Sequence, residues 1–583
     1  MRVLGLAARS HDSGIALVDD GDIKLVYEEE RFNRKKHTRA YPTQSLDAMV
    51  ADGFDLASLD AVAMPWHIHS LRMTVRAHWT RHFPRSLSIL GPNNHGPISY
   101  WIVAMRRTVQ LDMLRRLGGG RPPPFVEVHH HDAHAAAFFV SPFEEADVLV
   151  IDGYGDQSST SLYSGRGNRL SQLRANDQLH SLGVLYSLIT RFLGFPAFGD
   201  EGKVMGLSAY GSDRFVDKMS RLVHLRADGD YRLNMDYFSF PIYGERAPYS
   251  RKFYETFGAP FADCNMPTQE QFDLAFALQA VIEDVVLHVA RAAQRRSRAR
   301  YLVFSGGVAM NCVANAKLIE DTDYERVWVP PCASDAGVPL GAALFHTHQT
   351  CDVPRSFEVK HAAFGKAYTN DEIAQALKDF GLSGEKLERK ELIARTADLI
   401  ADGNIIGWFQ GRFETGPRAL GQRSILADPR RADMKDRINA RIKYREGFRP
   451  FAPAVLEERA SKWFAIDQPD PFMTIAPLIH PHQRAKIPAV VHADGTGRIQ
   501  TVAREAAPHY YDLISAFEER TGVPILLNTS FNKQEPIVTR PAEAISCYLR
   551  TEMDALVIGD YLVTARAAEA VQRAEKMFAE LSR

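Results

Sequence analysis

Apolar residues at the start of the chain fall into short runs separated by polar turns. Residues 3–6 predict a strand, 10–14 a polar turn, and 15–18 and 23–28 two further strands. The arrangement returns at 148–152, where an apolar run ends on the turn GYGDQSST and a strand follows near 161–163. Apolar residues at helical spacing over 273–294 predict a connecting helix, and 301–304 predict a short buried strand leading into SGGVAMN. Periodicity is lost over 347–359, around Pro354, which marks a domain boundary. Past it, 370–380 and 392–402 predict helices, and 405–409 and 524–527 predict strands. The pattern predicts an α/β domain over 1–352 and an α+β domain over 360–583, roughly 350 and 220 residues and within ordinary domain sizes.

Two strand–acidic turn–strand units ahead of separate helical stretches suggest duplicated half-domains, as in an actin-like ATPase fold. At 583 residues the chain exceeds a single ordinary core, in keeping with two domains. Apolar content of 45% and charged content of 24% are those of a soluble globular protein. No apolar stretch is long enough for a signal peptide or a membrane span. A formal net charge of -1 argues against broad nucleic-acid or membrane binding. Five scattered cysteines, Cys264, Cys312, Cys332, Cys351 and Cys547, predict reduced thiols in a cytoplasmic protein, with no zinc-type pairing.

Against that neutral background, nine arginines stand between Arg412 and Arg449. Gly, Pro and aromatic residues separate them, where a solvated helix face would place acids at helical spacing. Such a set suits a pocket for phosphates or carboxylates, the plainer alternative being surface ion pairs or a nucleic-acid patch. Arg418, Arg423, Lys443, Arg445 and Arg449 belong to it, with Arg498 further on and Asn528 and Ser530 after the strand at 524–527. Gathering so many cations is costly unless an anion offsets their repulsion, so a polyanionic ligand is predicted.

In the first half, His130 and His134 are four apart in an alanine-rich stretch and share one helix face. They suit one metal ion, or else form a capping or core pair. Asp152 ends a strand, and Asp335 precedes a small-residue helix that it could equally cap. The pair Gly306 and Gly307, shortly before Asn311, allows close approach by a nucleotide or simply a tight turn. Glu201, Lys203 and Gly206 lie in a Gly-rich stretch suited to a ribose and a phosphate in a loop, or to solvent alone. His11 and Asp12, in the first polar turn, could take a proton from a substrate hydroxyl or form a local cap.

The ordered motifs SHDSGIAL, EEERFNRKKH, HHHDAHA, IDGYGD, EGKVMGLSAYG, SGGVAMNCVAN, SDAGVPLGAAL, GPRALGQRSILADPR, IKYREGFRPFAPAVL, HADGTGRIQTV and LLNTSFN span nearly the whole chain. In them the chain resembles the O-carbamoyltransferases of antibiotic and nodulation-factor synthesis, the NodU/CmcH family. The resemblance implies an actin-like first domain similar to the tRNA-modifying Kae1 protein. It also implies a second domain similar to YrdC, which makes carbamoyl-type adenylates. By motif, His130, His134, Asp152 and Asp335 would hold a divalent metal, iron in some relatives. The stretches 201–206 and 306–311 would hold the adenylate. Arg418, Arg423, Lys443, Arg445, Arg449, Arg498, Asn528 and Ser530 would line a site for carbamoyl phosphate and ATP with Mg²⁺, and His11 with Asp12 would stand near the acceptor hydroxyl. The implied activity is ATP-dependent O-carbamoylation of a sugar, glycoside or polyketide through carbamoyl-AMP, with a homodimer as a compatible assembly.

The chain departs from the family pattern in three places. Lys533-Gln534 leads straight to Glu535-Pro536, one residue and one glycine fewer than in relatives. Val338-Pro339 replaces smaller residues, which is expected to alter packing only. His129 makes a third consecutive histidine and leaves the ligand register open by one. Acceptor specificity is expected in 66–121, which includes MPWHIHS, and in 225–267 with its aromatic run. A sugar kinase or other actin-like ATPase is the rival activity, and it leaves the arginine-rich domain unexplained.

Overall fold

The first five strands, β1 (Arg2–Ala7), β2 (Gly14–Asp19), β3 (Asp22–Glu28), β4 (Ala61–Met64) and β5 (Phe125–Glu127), form a mixed sheet in the order β3-β2-β1-β4-β5. Strand β1 runs antiparallel to β2 and parallel to β4, and β4 is parallel to β5. A second sheet uses β6 (Glu145–Ile151), β7 (Ser158–Arg166) and β8 (Arg169–Asp177). The hairpin of β9 (Val223–Leu225) and β10 (Tyr231–Leu233) stands apart, and β11 (Tyr301–Ser305) and β12 (Arg326–Trp328) complete the second sheet in the order β12-β11-β6-β7-β8. Here β6 is antiparallel to β7 and parallel to β11, which is parallel to β12. The two sheets share strand order and sense at these matching pairs, the duplication that the repeated strand–turn–strand pattern suggests.

These strands belong to a computed structural model that describes residues 1–8, 11–81, 83–84, 105–264 and 266–581. The chain divides into two units, one of Met1–Val26 with His37–Val359 and the other of Tyr27–Lys36 with Lys360–Arg583. Sequence pattern alone places residues 27–36 within the first domain, yet they belong to the second unit. Among the described residues, no helix is long and apolar enough to cross a membrane.

Small residues set the packing of the first unit. A Cβ on Gly5 would lie 1.7 Å from the Pro339 carbonyl oxygen, so the helix Val338–Leu344 lies directly on β1. On Gly341 it would lie 1.8 Å from the Ala133 carbonyl oxygen, which brings the helix His130–Ala135 against the same helix. Pro339 sits in that helix's first turn, where its missing N–H costs nothing. The connecting helix runs over Gln269–Ser297, longer than predicted at both ends, and opens with a capping box from Thr268 and Gln271.

The second unit is built on β13 (Glu385–Lys386), β14 (Ile406–Phe409), β15 (Arg423–Ala427), β16 (Ala452–Leu456), β17 (Gln500–Val502), β18 (Ile525–Ser530), β19 (Ala555–Ile558) and β20 (Tyr561–Val563). They form one mixed sheet in the order β13-β20-β19-β14-β15-β18-β16-β17. Helices Asn370–Asp379 and Arg389–Ala401 fall where the apolar spacing predicts them. The strand predicted over 524–527 continues to Ser530, so Asn528 and Ser530 lie inside β18, paired with β15 and in part with β16, and do not follow the strand.

Candidate functional site

His130 and His134 occupy successive turns of the helix His130–Ala135, with Asp152 just past β6 and Asp335 before Val338–Leu344. All four are buried, and their ligating atoms lie within 4.8 Å of one another. The two Nε2 atoms are 3.2 Å apart. His130 Nε2 stands 3.3 Å from Asp152 Oδ2 and 3.4 Å from Asp335 Oδ1, and His134 Nε2 stands 3.8 and 3.5 Å from the same oxygens. Such spacings match donors around a cation bound at about 2.0–2.2 Å. His130 Nδ1 lies 3.2 Å from the Pro65 carbonyl oxygen; donating there leaves Nε2 as the free lone pair. Burial disfavours charge throughout, yet Asp335 and Asp152 hold the His130 imidazole well above its ordinary value. Against the same burial, His11 and His130 hold Asp335 well below its own. The residues present fit a divalent cation.

The register left open by the third histidine is settled by the partners. His129 Nδ1 faces the buried Asp156 at 3.3 Å, and His131 Nδ1 faces Ser161 Oγ at 2.7 Å, so neither ring joins the cluster. His11 and Asp12 border it: His11 Nδ1 is 3.0 Å from Asp12 Oδ2, and its Nε2 is 3.7 Å from Asp335 Oδ2. Burial lowers the His11 imidazole, but Asp335 and Asp12 outweigh it and raise it to about 10. Two neighbours escape sequence reasoning. His37 Nδ1 holds Asp12 Oδ1 at 2.9 Å, and Trp66 stacks on His130 with ring centres 4.1 Å apart. Both stand in quoted segments, EEERFNRKKH and MPWHIHS, but no spacing rule links them to the cluster. Of the acceptor segment 66–121, residues 82 and 85–104 lie outside the described residues, as does residue 265 of 225–267.

The residues expected at the adenylate take the following places in the fold. Glu201, Lys203 and Gly206 lie in the helix Glu201–Ser208, which corrects the predicted loop. The Glu201 carboxylate accepts from Phe198 N, Gly199 N and Ser187 Oγ at 2.6–2.8 Å, and Lys203 pairs with Asp200 at 2.9 Å. A Cβ on Gly306 would meet the Ile151 carbonyl oxygen at 2.3 Å, and Gly307 N donates to Asp152 Oδ1 at 2.7 Å. This glycine pair therefore seats Asp152. Asn311 caps the helix Cys312–Glu320 and exchanges two hydrogen bonds with Gln279.

In the second unit Lys443 is buried, and its Nζ donates to Ser530 O at 2.5 Å, Asn532 Oδ1 at 2.7 Å, Asn532 O at 2.9 Å and Ser530 Oγ at 3.2 Å. Burial and then the charge of Arg445 pull its ammonium well below the ordinary value. Arg445 lies over the Phe451 ring and donates to Asn439 Oδ1 at 3.0 Å. Burial, then Arg449 and Arg498, push it down to about 9. Lys443, Arg445, Arg449 and Arg498 thus form one cationic cradle, with Glu446 3.9 Å from Arg449. Arg418 is half-buried on the loop before β15. Arg423 differs from the set: fully buried over the Phe409 ring, its guanidinium donates to the carbonyls of Gln410, Gln422 and Gly411. Glu414 also goes unseen in the sequence; its carboxylate accepts from Leu420 N, Gln422 N and Arg423 N and shapes that loop.

The first unit thus gathers a buried set of possible cation ligands, and the second a set of neighbouring cations of which Lys443 is buried and Arg445, Arg449 and Arg498 are half-buried. Residues 2–344 match the family model described as Carbamoyltransferase N-terminus, and residues 397–565 match Carbamoyltransferase C-terminus. Protein sll1178 of Synechocystis sp. is 38% identical over 601 residues, covering 97% of each chain. Nodulation protein NolNO of Sinorhizobium fredii is 38% identical over 566 residues, 96% of this chain and 79% of its own. Nodulation protein NolO of Bradyrhizobium diazoefficiens is 40% identical over 450 residues, 76% and 79%. The chain belongs to the carbamoyltransferase family and is an enzyme of that family.

Proposed function

We propose that this carbamoyltransferase consumes carbamoyl phosphate and ATP to form carbamoyl-AMP in the cationic cradle, and transfers the carbamoyl group to a hydroxyl of a small sugar, glycoside or polyketide at the histidine–aspartate cluster. On this reading the first unit is actin-like and the second YrdC-like. Hydrolysis of carbamoyl phosphate yields carbamate and inorganic phosphate. A carbamate oxygen then attacks the α-phosphorus of ATP; a new P–O bond forms as pyrophosphate leaves. Lys443, Arg445, Arg449 and Arg498 stabilise the charge on the transferring phosphoryl oxygens. The acceptor hydroxyl adds to the carbonyl carbon of the mixed anhydride, AMP leaves, and the proton passes to Nε2 of His11, whose other nitrogen is tied to Asp12. A divalent cation held by His130, His134, Asp152 and Asp335, ferrous iron by family resemblance, would supply a Lewis acid for the carbamoyl oxygen and relieve the pull of Asp335 on His11.

The observation that carries this reading is the cradle itself. A buried lysine and three arginines whose charges oppose one another are costly to assemble, and a polyanion relieves that cost. The test is pyrophosphate release from ATP with and without carbamoyl phosphate. Release should require carbamoyl phosphate and fall by roughly 100-fold or more in Lys443→Ala, as for loss of a preorganised cation. Equal release without carbamoyl phosphate, or an unchanged rate in Lys443→Ala, contradicts it.

A further inference from the structure

The segment over 66–121 differs from the rest of the chain in charge. It holds nine arginines, no lysine and one acid, Asp112, in a chain whose net charge is -1, so the remainder is acidic. Two of the nine are paired within the first unit: Arg106 with Glu127 at 3.1 Å, and Arg116 with Asp47 at 2.6 Å and Asp112 at 2.7 Å. Arg72, Arg76, Arg81, Arg107, Arg115 and Arg121 are exposed, and their guanidinium groups have no carboxylate partner among the described residues. Residues 82–104 contain no Asp or Glu and so offer none either. A surface of one sign attracts a partner of the other.

Two helices carry most of these arginines. The helix Ile68–Arg81 buries Leu71 and exposes His69, Arg72, Met73 and Arg76, whose spacing of i, i+3, i+4 and i+7 puts them on one face. The helix Met105–Arg116 buries Val109 and Met113 and exposes a matching row of Arg107, Leu111, Leu114 and Arg115. Both helices start at one carboxylate: Glu127 accepts from Ile68 N at 3.0 Å and pairs with Arg106. Trp66, which stacks on His130, stands just before the first helix, so the basic rows begin beside the histidine–aspartate cluster.

Charge alone suits any polyanion; the apolar side chains among the arginines select the kind. Thirteen large apolar side chains are exposed among the described residues, and four of them, Met73, Phe83, Leu111 and Leu114, fall in this short segment. They are 38–58% exposed. A soluble polyanion would neutralise the guanidinium groups and leave these four side chains in water. An anionic bilayer takes both: its headgroups meet the arginines, while the methionine, phenylalanine and leucines enter the acyl boundary. No described helix is long and apolar enough to cross a membrane, so the contact is peripheral. We infer that the arginine-rich rows of the helices Ile68–Arg81 and Met105–Arg116 dock the enzyme on an anionic lipid surface. Docking requires neither ATP nor carbamoyl phosphate.

The test is flotation of the full chain with phosphatidylcholine vesicles, with and without about one third phosphatidylglycerol, at about 0.15 M salt. The native chain should float with the anionic vesicles and stay behind with the neutral ones. Each arginine at an anionic surface strengthens binding by about fivefold, so Arg72→Gln with Arg76→Gln should weaken it by roughly 25-fold. Arg107→Gln with Arg115→Gln should do the same, and since the two pairs lie on separate helices, a folding failure in one leaves the other to be read. Leu111→Ser with Leu114→Ser should weaken vesicle binding by about tenfold or more, yet leave binding to heparin, a soluble polyanion, within about twofold. A native chain that ignores anionic vesicles, or folded arginine variants that bind them as the native chain does, overturns the inference. So does full vesicle binding in the leucine variant, because the surface then reads charge alone and suits a soluble polyanion or a nucleic acid.

Discussion

Arg423 shows how far residue type alone carries. It stands in the same arginine-rich stretch as Arg418 and Arg445, but its guanidinium is buried on Phe409 and donates to backbone carbonyls. Its work is to satisfy the chain around β15. Arg423→Met should therefore lower the stability of the second unit by about 2–4 kcal/mol, through carbonyls left unpaired, with a matching fall in the thermal midpoint. An unchanged midpoint with lost ligand binding would return Arg423 to the cradle. Helical spacing pairs His130 with His134, but only the family motifs name Asp152 and Asp335 beside them; the four do meet in one buried cluster. His37, Trp66, Glu414 and Gln500 are not legible. Each reaches its partner only through tertiary packing, and no local pattern announces it.

At the scale of elements, glycine is the source of both success and error. In the stretch 199–211 the glycines predict a loop, but Glu201 accepts the N–H groups of Phe198 and Gly199 and starts a helix there. Gly202 and Gly206 are then carried inside it at a modest propensity cost. In SDAGVPLGAAL the pattern predicts a small-residue helix, and in the fold the small residues let that helix pack closely. Gly341 lets Val338–Leu344 lie against the turn that carries His130 and His134. Gly341→Ala should push the two helices apart, lower stability by about 1–3 kcal/mol and reduce bound divalent metal below one equivalent by elemental analysis. Full metal occupancy in that variant would show that the contact does not set the ligand geometry. The end of β18 was hidden for a different reason: the polar run Asn528–Ser530 lacks an apolar pattern, while the ladder to β15 continues through it.

At the scale of the whole molecule, the first unit runs to Val359 and the second resumes at Lys360. The membership of Tyr27–Lys36 in the second unit could not be read, because a local pattern does not say which core a segment joins. Arg31 in that segment is buried and donates to the Gly416 carbonyl. Arg34 donates to the Ile537 carbonyl at 2.9 Å and to that of Pro536, and pairs with Glu543 at 3.3 Å. A fragment beginning at residue 360 would take these guanidinium donors from the carbonyls and leave Glu543, still bonded to the Thr539 and Arg540 N–H groups, without its cation. It should be proteolytically labile, without the near-ultraviolet circular dichroism of a packed core. A protease-resistant, well-packed fragment would show that the segment is dispensable.

The central claim is a division of labour: an activated carbamoyl group is made at the cations and spent at the histidines. The most direct measurement is mass spectrometry of the nucleotides formed by His130→Ala from ATP and carbamoyl phosphate. The account predicts that carbamoyl-AMP accumulates in this variant and reaches no acceptor. If His130→Ala forms no carbamoyl-AMP while the native enzyme does, adenylate formation depends on the histidine cluster and the division is contradicted.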